Sequence, residues 1–121
     1  MTKRILVVED TEDNRNIIRD LLTDAGYEML EATTGEEGVA MAAEHRPDLI
    51  LMDIQLPVLD GYEATRRIKA NAALSHIPII AVTSYALSGD DAKARAAGCD
   101  AYVAKPFSPR QLLAKMREFV E

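Results

Sequence analysis

Leu49-Ile50-Leu51-Met52-Asp53 is the stretch that decides how this chain folds. Consecutive large apolar residues end abruptly at a carboxylate. The run is too short for a helix and lacks polar alternation, so it reads as a strand covered on both faces. Three other runs have the same form. Ile5–Val8 stops at Glu9-Asp10, Ile79–Val82 at Thr83-Ser84, and Ala101–Ala104 at Lys105-Pro106. If the runs are parallel strands, their carboxyl ends share one edge of a sheet. Carboxylates, a hydroxyl and an ammonium then converge in a single crevice.

Helical patterns separate the runs from end to end, which is the signature of repeated βα units and a parallel sheet. Strands are expected near 4–8, 28–32, 48–53, 78–83 and 101–104, with helices near 12–25, 35–45, 61–72, 89–97 and 109–120. Ile17, Ile18, Leu21, Leu22 and Ala25 form one helical face, closed by Gly26. Thr34-Gly35-Glu36-Glu37 reads as a capping box, and Asp60 can cap the third helix with Glu63 as reciprocal partner. Gly98 can take the left-handed conformation that ends the fourth. Ser108-Pro109-Arg110-Gln111 combines a Ser cap, Pro at the first helical position and Gln three residues on.

The first, third and fourth runs are continuously apolar, whereas Glu28-Met29-Leu30-Glu31 is interrupted by charge and the fifth run is short. The last two suit the sheet edges. The expected architecture is a flavodoxin-like (βα)5 fold, doubly wound, with five parallel strands in the order 2-1-3-4-5. Hydrophobicity alone leaves an exchange of neighbours open. In this order the winding reverses between strands one and three, so the ligand crevice lies beyond their carboxyl ends. Asp10 and Asp53 stand there.

Composition narrows the function. With 121 residues the chain is expected to be one domain, without internal repeats or linkers. No apolar run approaches the roughly 20 residues of a membrane span, and no secretory leader is visible. A cytoplasmic protein is expected. The lone Cys99 fits a reducing compartment and reads as a small buried thiol. A net charge of −6 argues against a nucleic-acid surface. Arg66, Arg67 and Lys69, like Arg110, Lys115 and Arg117, are expected on solvated helix faces.

Glu9, Asp10 and Asp53 cannot share a small pocket as bare anions, since unit charges 4 Å apart repel by roughly 4 kcal/mol at an effective dielectric near 20. All-oxygen ligands suit Mg2+. Asp10 and Asp53 are the expected direct ligands, with the Gln55 backbone carbonyl as a third and Glu9 acting through water. Lys105 would reach across the sheet edge to Asp53 and later to a phosphoryl oxygen. Pro106 is a candidate cis-proline, whose rigid turn would aim that ammonium inward. Thr83 supplies a hydroxyl. Asp53 is then the candidate nucleophile, forming an acyl phosphate.

VVED, LILMDIQLPVLDG, IIAVTS and AYVAKPFSP, in this order, resemble the receiver domain of two-component response regulators. The resemblance runs from Arg4 to the last helix. It implies that Asp53 is the phosphoacceptor, that Glu9 and Asp10 hold Mg2+, and that Thr83 is the switch hydroxyl. Lys105 is implied as the phosphate-binding lysine and Tyr102 as the aromatic coupled to Thr83. Gln55 and Tyr85 match positions that tune phosphoryl lifetime. The face of helix four, strand five and helix five is implied as the partner surface. No output domain is expected, so the resemblance points to a stand-alone (DivK-like) regulator, or to a receiver cut from a hybrid kinase. Neither His45 nor His76 falls at a strand carboxyl end. The phosphodonor is therefore expected to be a sensor histidine kinase, a histidine phosphotransfer protein or a small phosphodonor, with a downstream protein as target.

Two rival functions fit less well. A small Mg2+-dependent aspartyl phosphatase needs a second acid two residues after the nucleophile, and Gln55 stands there. A flavin site needs an uncharged phosphate loop, and Glu9-Asp10-Thr11-Glu12-Asp13 would repel the phosphate.

Overall fold

The computed structural model describes residues 2–83, 90–105 and 107–120. Strands and helices alternate along the chain: β1 Arg4–Val8, α1 Glu12–Asp24, β2 Glu28–Ala32, α2 Gly35–His45, β3 Leu49–Asp53, α3 Gly61–Ala70, β4 Ile79–Thr83, α4 Asp90–Ala97, β5 Ala101–Ala104 and α5 Pro109–Val120. The strands form one parallel sheet in the order β2-β1-β3-β4-β5, as expected.

Strand alternation sorts the apolar side chains onto two layers. Leu6, Val8, Ile50, Met52, Ile79 and Ala81 pack beneath α2, α3 and α4, against Ala42, Ala64, Ile68 and Ala94. Ile5, Val7, Leu49, Leu51 and Ile80 face the other way, onto Ile18 and Leu22 of α1 and Leu112, Met116 and Val120 of α5. Every residue of β3 and β4 is buried. The edge strand β2 carries two glutamates: Glu28 is exposed and Glu31 half-buried. Charge on an unpaired edge discourages pairing with another chain.

β3 and β4 each begin one residue later than the sequence suggested. Asp48 instead braces the chain entry, its carboxylate accepting from the Arg4 N–H at 2.8 Å. Pro78 has no N–H for the ladder, although its carbonyl accepts from Ile50 at 3.0 Å. α3 stops at Ala70 because Asn71 turns extended and its side chain accepts from the Ala73 N–H at 3.0 Å. Ile17 is 58% exposed, so the buried stripe of α1 is Ile18 and Leu22, with Leu21 at its border.

Both expected glycine stops hold. Gly26 (φ 87°) and Gly98 (φ 110°) follow α1 and α4 in the left-handed region. Around each, the next residue bonds back five positions, Tyr27 to Leu22 and Cys99 to Ala94, both at 2.9 Å. The Ser108 box is complete: the Gln111 N–H donates to Ser108 Oγ and the Ser108 N–H to Gln111 Oε1, both at 3.1 Å. The other two boxes are half-formed. Thr34 and Asp60 accept from the Glu37 and Glu63 N–H groups, but neither glutamate returns the bond. Glu37 accepts from the Thr33 N–H instead, and Glu63 pairs with Arg66 and Arg67.

Lys69 departs from its expected place on a solvated face. Its ammonium donates to the carbonyls of Ser75 and Ile77 and to Asp100 Oδ2, at 3.1, 2.8 and 3.0 Å, tying α3 to the amino-terminal edge of the sheet. Cys99 is buried as expected, and desolvation pushes its thiol above the ordinary range. On the opposite edge, Glu31 accepts from Arg19 at 2.5 Å and is held below the usual carboxylate range, chiefly by that hydrogen bond.

Candidate functional site

Register assembles the site. Val8 pairs with Met52, so Glu9 and Asp10 lie one and two residues past the β1 end of that pair, and Asp53 lies one past its β3 end. Asp53 pairs with Val82, and Thr83 with Ala104, which places Lys105 directly beyond β5. The Lys105 N–H donates to the Thr83 carbonyl at 2.7 Å, extending that ladder to the lysine itself. Each polar residue sits where its strand stops being covered.

Carboxylate oxygens of Glu9, Asp10 and Asp53 all lie within 4.8 Å of one another. Glu9 and Asp53 are buried (3% and 4% exposed), whereas Asp10 faces solvent. Lys105 Nζ stands 3.4 Å from Asp53 Oδ1, the contact expected, and 3.2 Å from Glu9 Oε1, which was not. The ammonium therefore bridges two buried carboxylates. The amino-terminal end of α1 opens just beyond Glu9 and Asp10, and its partial positive charge acts in the same sense.

Three carboxylates against one ammonium leave an excess of negative charge. The donors are all oxygen and one of them faces solvent. This set fits a hard divalent cation that keeps part of its water shell, as Mg2+ does.

The loop after β3 frames Asp53. The Gln55 N–H donates to Asp53 Oδ1 at 3.0 Å, and the Ile54 N–H to the Val82 carbonyl at 3.1 Å. Leu56 and Leu59 are buried and anchor the loop, while Val58 is fully exposed at positive φ. Gln55 Nε2 donates to Thr83 Oγ1 at 2.6 Å, so the expected switch hydroxyl is engaged by a side chain from the expected cation loop. Tyr102 is half-buried against the α2–α4 core layer and borders a surface hollow with Val103, Ala104, Gln111, Ala114, Lys115 and Glu118. Tyr85 and Pro106 lie outside the described residues.

Sequence reasoning missed the residues that hold Glu9. Asn14 donates to its carboxylate and Arg15 to its carbonyl oxygen. A neutral amide five residues after a carboxylate, across a strand-to-helix turn, belongs to no recognised spacing. The only available signal was that both sit in the first turns of the helix leaving the acidic pair.

Lys105→Met should lower the stability of the metal-free protein by about 2–3 kcal/mol, since it strips the bridging cation from two buried carboxylates. The cost falls short of a fully buried pair because Lys105 is 19% exposed. Added Mg2+ should stabilise the variant more than the parent. Denaturant unfolding with and without Mg2+ checks both.

The sequence matches the family model described as the response regulator receiver domain over residues 5–117. The chain belongs to that family. This receiver is 44% identical over 120 residues to the polar-differentiation response regulators DivK of Brucella ovis and Brucella abortus (strain S19), covering 99% of this chain and 98% of theirs. Among solved structures it resembles the receiver domain of a sensor histidine kinase from Pseudomonas aeruginosa PAO1, with a TM-score of 0.93, 40% identity, and coverage of 99% and 98% of the two chains. That receiver carries a magnesium ion coordinated in its active-site cleft. The chemotaxis protein CheY4 of Vibrio cholerae superposes with a TM-score of 0.92 at 28% identity, covering 98% of this chain and 99% of that one.

Proposed function

We propose that this receiver accepts a phosphoryl group on Asp53 in a Mg2+-dependent reaction and acts as a DivK-like, single-domain response regulator. The observation that carries the reading is the bridging of Asp53 and Glu9 by Lys105, within a carboxylate cluster whose oxygens lie within 4.8 Å.

An Asp53 carboxylate oxygen forms the new P–O bond as the P–N bond of a donor phosphohistidine breaks, its electron pair leaving on the imidazole. A bound Mg2+ supplies charge neutralisation for the phosphoryl oxygens; Asp10, Asp53 and the Gln55 carbonyl would hold it, with Glu9 alongside through water. Gln55 N–H fixes the Asp53 carboxylate by its bond to Oδ1. Lys105 turns from the carboxylates toward a phosphoryl oxygen. Thr83 exchanges its Gln55 partner for the phosphoryl group, and Tyr102 follows it. The face of α4, β5 and α5 then changes population; moving from 1:99 to 99:1 takes roughly 5.5 kcal/mol of differential stabilisation. The protein turns over only its own acyl phosphate. Its donor is a sensor histidine kinase or histidine phosphotransfer protein, and its target another protein.

The match to the DivK regulators, which spans 98% of their own length, supports the single-domain reading. A receiver excised from a hybrid kinase is the second reading, favoured by the close superposition on that kinase's receiver. No helix among the described residues is long and apolar enough to cross a membrane, which is compatible with a cytoplasmic location.

Acetyl phosphate with Mg2+ should add the mass of one phosphoryl group, mapped to the peptide containing Asp53, and EDTA should prevent it. Labelling that ignores EDTA, or maps to another residue, would overturn the proposal.

A further inference from the structure

The carboxylate of Glu9 ends on three donors. Oε2 lies 3.3 Å from the Thr11 N–H, while Oε1 lies 3.2 Å from both Asn14 Nδ2 and Lys105 Nζ. The main chain of the same residue is also gripped. Arg15 Nη1 donates to the Glu9 carbonyl at 2.9 Å, and Arg15 Nε stands 3.4 Å from Glu31 on β2. The first turns of α1 therefore fix Glu9 at both ends.

These donors differ in what they can do during phosphoryl transfer. Lys105 also touches Asp53 Oδ1, and it leaves Glu9 once it turns to a phosphoryl oxygen. The Thr11 N–H is the longest of the three contacts. Asn14 stays, because its place on α1 does not depend on the occupant of the site. Its carboxamide is neutral, so it orients the carboxylate without cancelling the charge that attracts a cation. A cationic side chain there would orient Glu9 equally well and defeat its purpose.

We infer that Asn14 is a positioning residue for the cation site, fixing the Glu9 carboxylate beside Asp10 and Asp53 when Lys105 turns away. The inference rests on the function proposed above and deepens it. Asn14 touches neither the cation nor the phosphoryl group. Partners of this kind typically change metal affinity by about 10–100-fold when removed.

The test is Mg2+ titration followed by two-dimensional amide NMR, which reports affinity and fold in one spectrum. Asn14→Leu should weaken Mg2+ binding about 10-fold, the low end for such a partner, with spectral dispersion retained. Asn14→Ala provides the same measurement should leucine disturb α1. In a Glu9→Gln background, either substitution should change Mg2+ affinity less than about twofold, because a residue acting through Glu9 cannot act twice. An equal loss in both backgrounds assigns Asn14 a structural role and overturns the inference, as does no loss in the parent background. Asp10→Asn separates the two levels. If it weakens Mg2+ binding while Asn14→Leu does not, this inference alone fails. If it leaves binding unchanged, the cation site fails and Asn14 with it.

Discussion

Asp53→Asn is expected to eliminate covalent phosphoryl labelling while leaving a protein no less stable than the parent. The amide is nearly isosteric and keeps an oxygen for the Gln55 N–H, which now donates to Asp53 Oδ1 at 3.0 Å. It carries no anionic oxygen to attack phosphorus, so the chemical step has no nucleophile. Lys105 retains its 3.2 Å contact with Glu9, and the mutual repulsion among the acidic side chains falls by one member. Each such repulsion at 4 Å is worth roughly 4 kcal/mol at an effective dielectric near 20, which offsets the lost ion pair. Thermal unfolding in EDTA and mass spectrometry after acetyl phosphate treatment measure the two halves separately. A destabilised Asp53→Asn protein would mean that the carboxylate is structural, and a labelled one that the acceptor lies elsewhere.

Gly61→Ala should cost about 3 kcal/mol or more, close to the upper end for overpacking, and should displace Asp53. A Cβ at this first residue of α3 would collide with the Asp53 carbonyl oxygen and stand 2.7 Å from Ile54 Cα. Both are backbone atoms, with no flexible side chain to yield. Gly61 also donates its N–H to the Ile54 carbonyl at 3.2 Å, so the loop after β3 closes tightly on Asp53. Gly26 is the useful contrast. Nothing lies within 4 Å of a Cβ there, and Gly26→Ala meets only the strain of φ 87°, about 1–2 kcal/mol. Denaturant unfolding of the two variants should differ accordingly. Equal losses would show that the backbone around Gly61 moves aside and that the close approach there is not decisive.

The fold was legible because its decisive signals are local and mutually consistent. Apolar runs end at polar residues, glycine and proline punctuate the helices, and charge marks the edge strand. Continuous apolarity separated central from edge strands, and the exchange of neighbours it left open is settled by the observed 2-1-3-4-5 order. The candidate site was legible for the same reason, since the strand ends named Glu9, Asp10, Asp53, Thr83 and Lys105 in advance. What stayed hidden were choices among competing partners. Glu37 and Glu63 fit capping boxes by spacing, yet Thr33 and two arginines held their carboxylates. Lys69 read as a surface cation because its acceptors include main-chain carbonyls, which residue type does not reveal. Ile17 shares a helical sector with Ile18 on paper, but the sheet covers only the stripe through Ile18 and Leu22. Asn14 carries neither charge nor motif, and only the turn from β1 into α1 brings it to Glu9.

The most direct measurement is a crystal structure of the protein grown with Mg2+ and beryllofluoride, a phosphoryl mimic. Beryllium is expected bonded to an Asp53 carboxylate oxygen, Mg2+ beside it on Asp10, Asp53 and the Gln55 carbonyl, and the Lys105 and Thr83 side chains turned onto fluorine. Beryllofluoride bound elsewhere, or Lys105 still bridging Glu9 and Asp53 with the mimic in place, would contradict it.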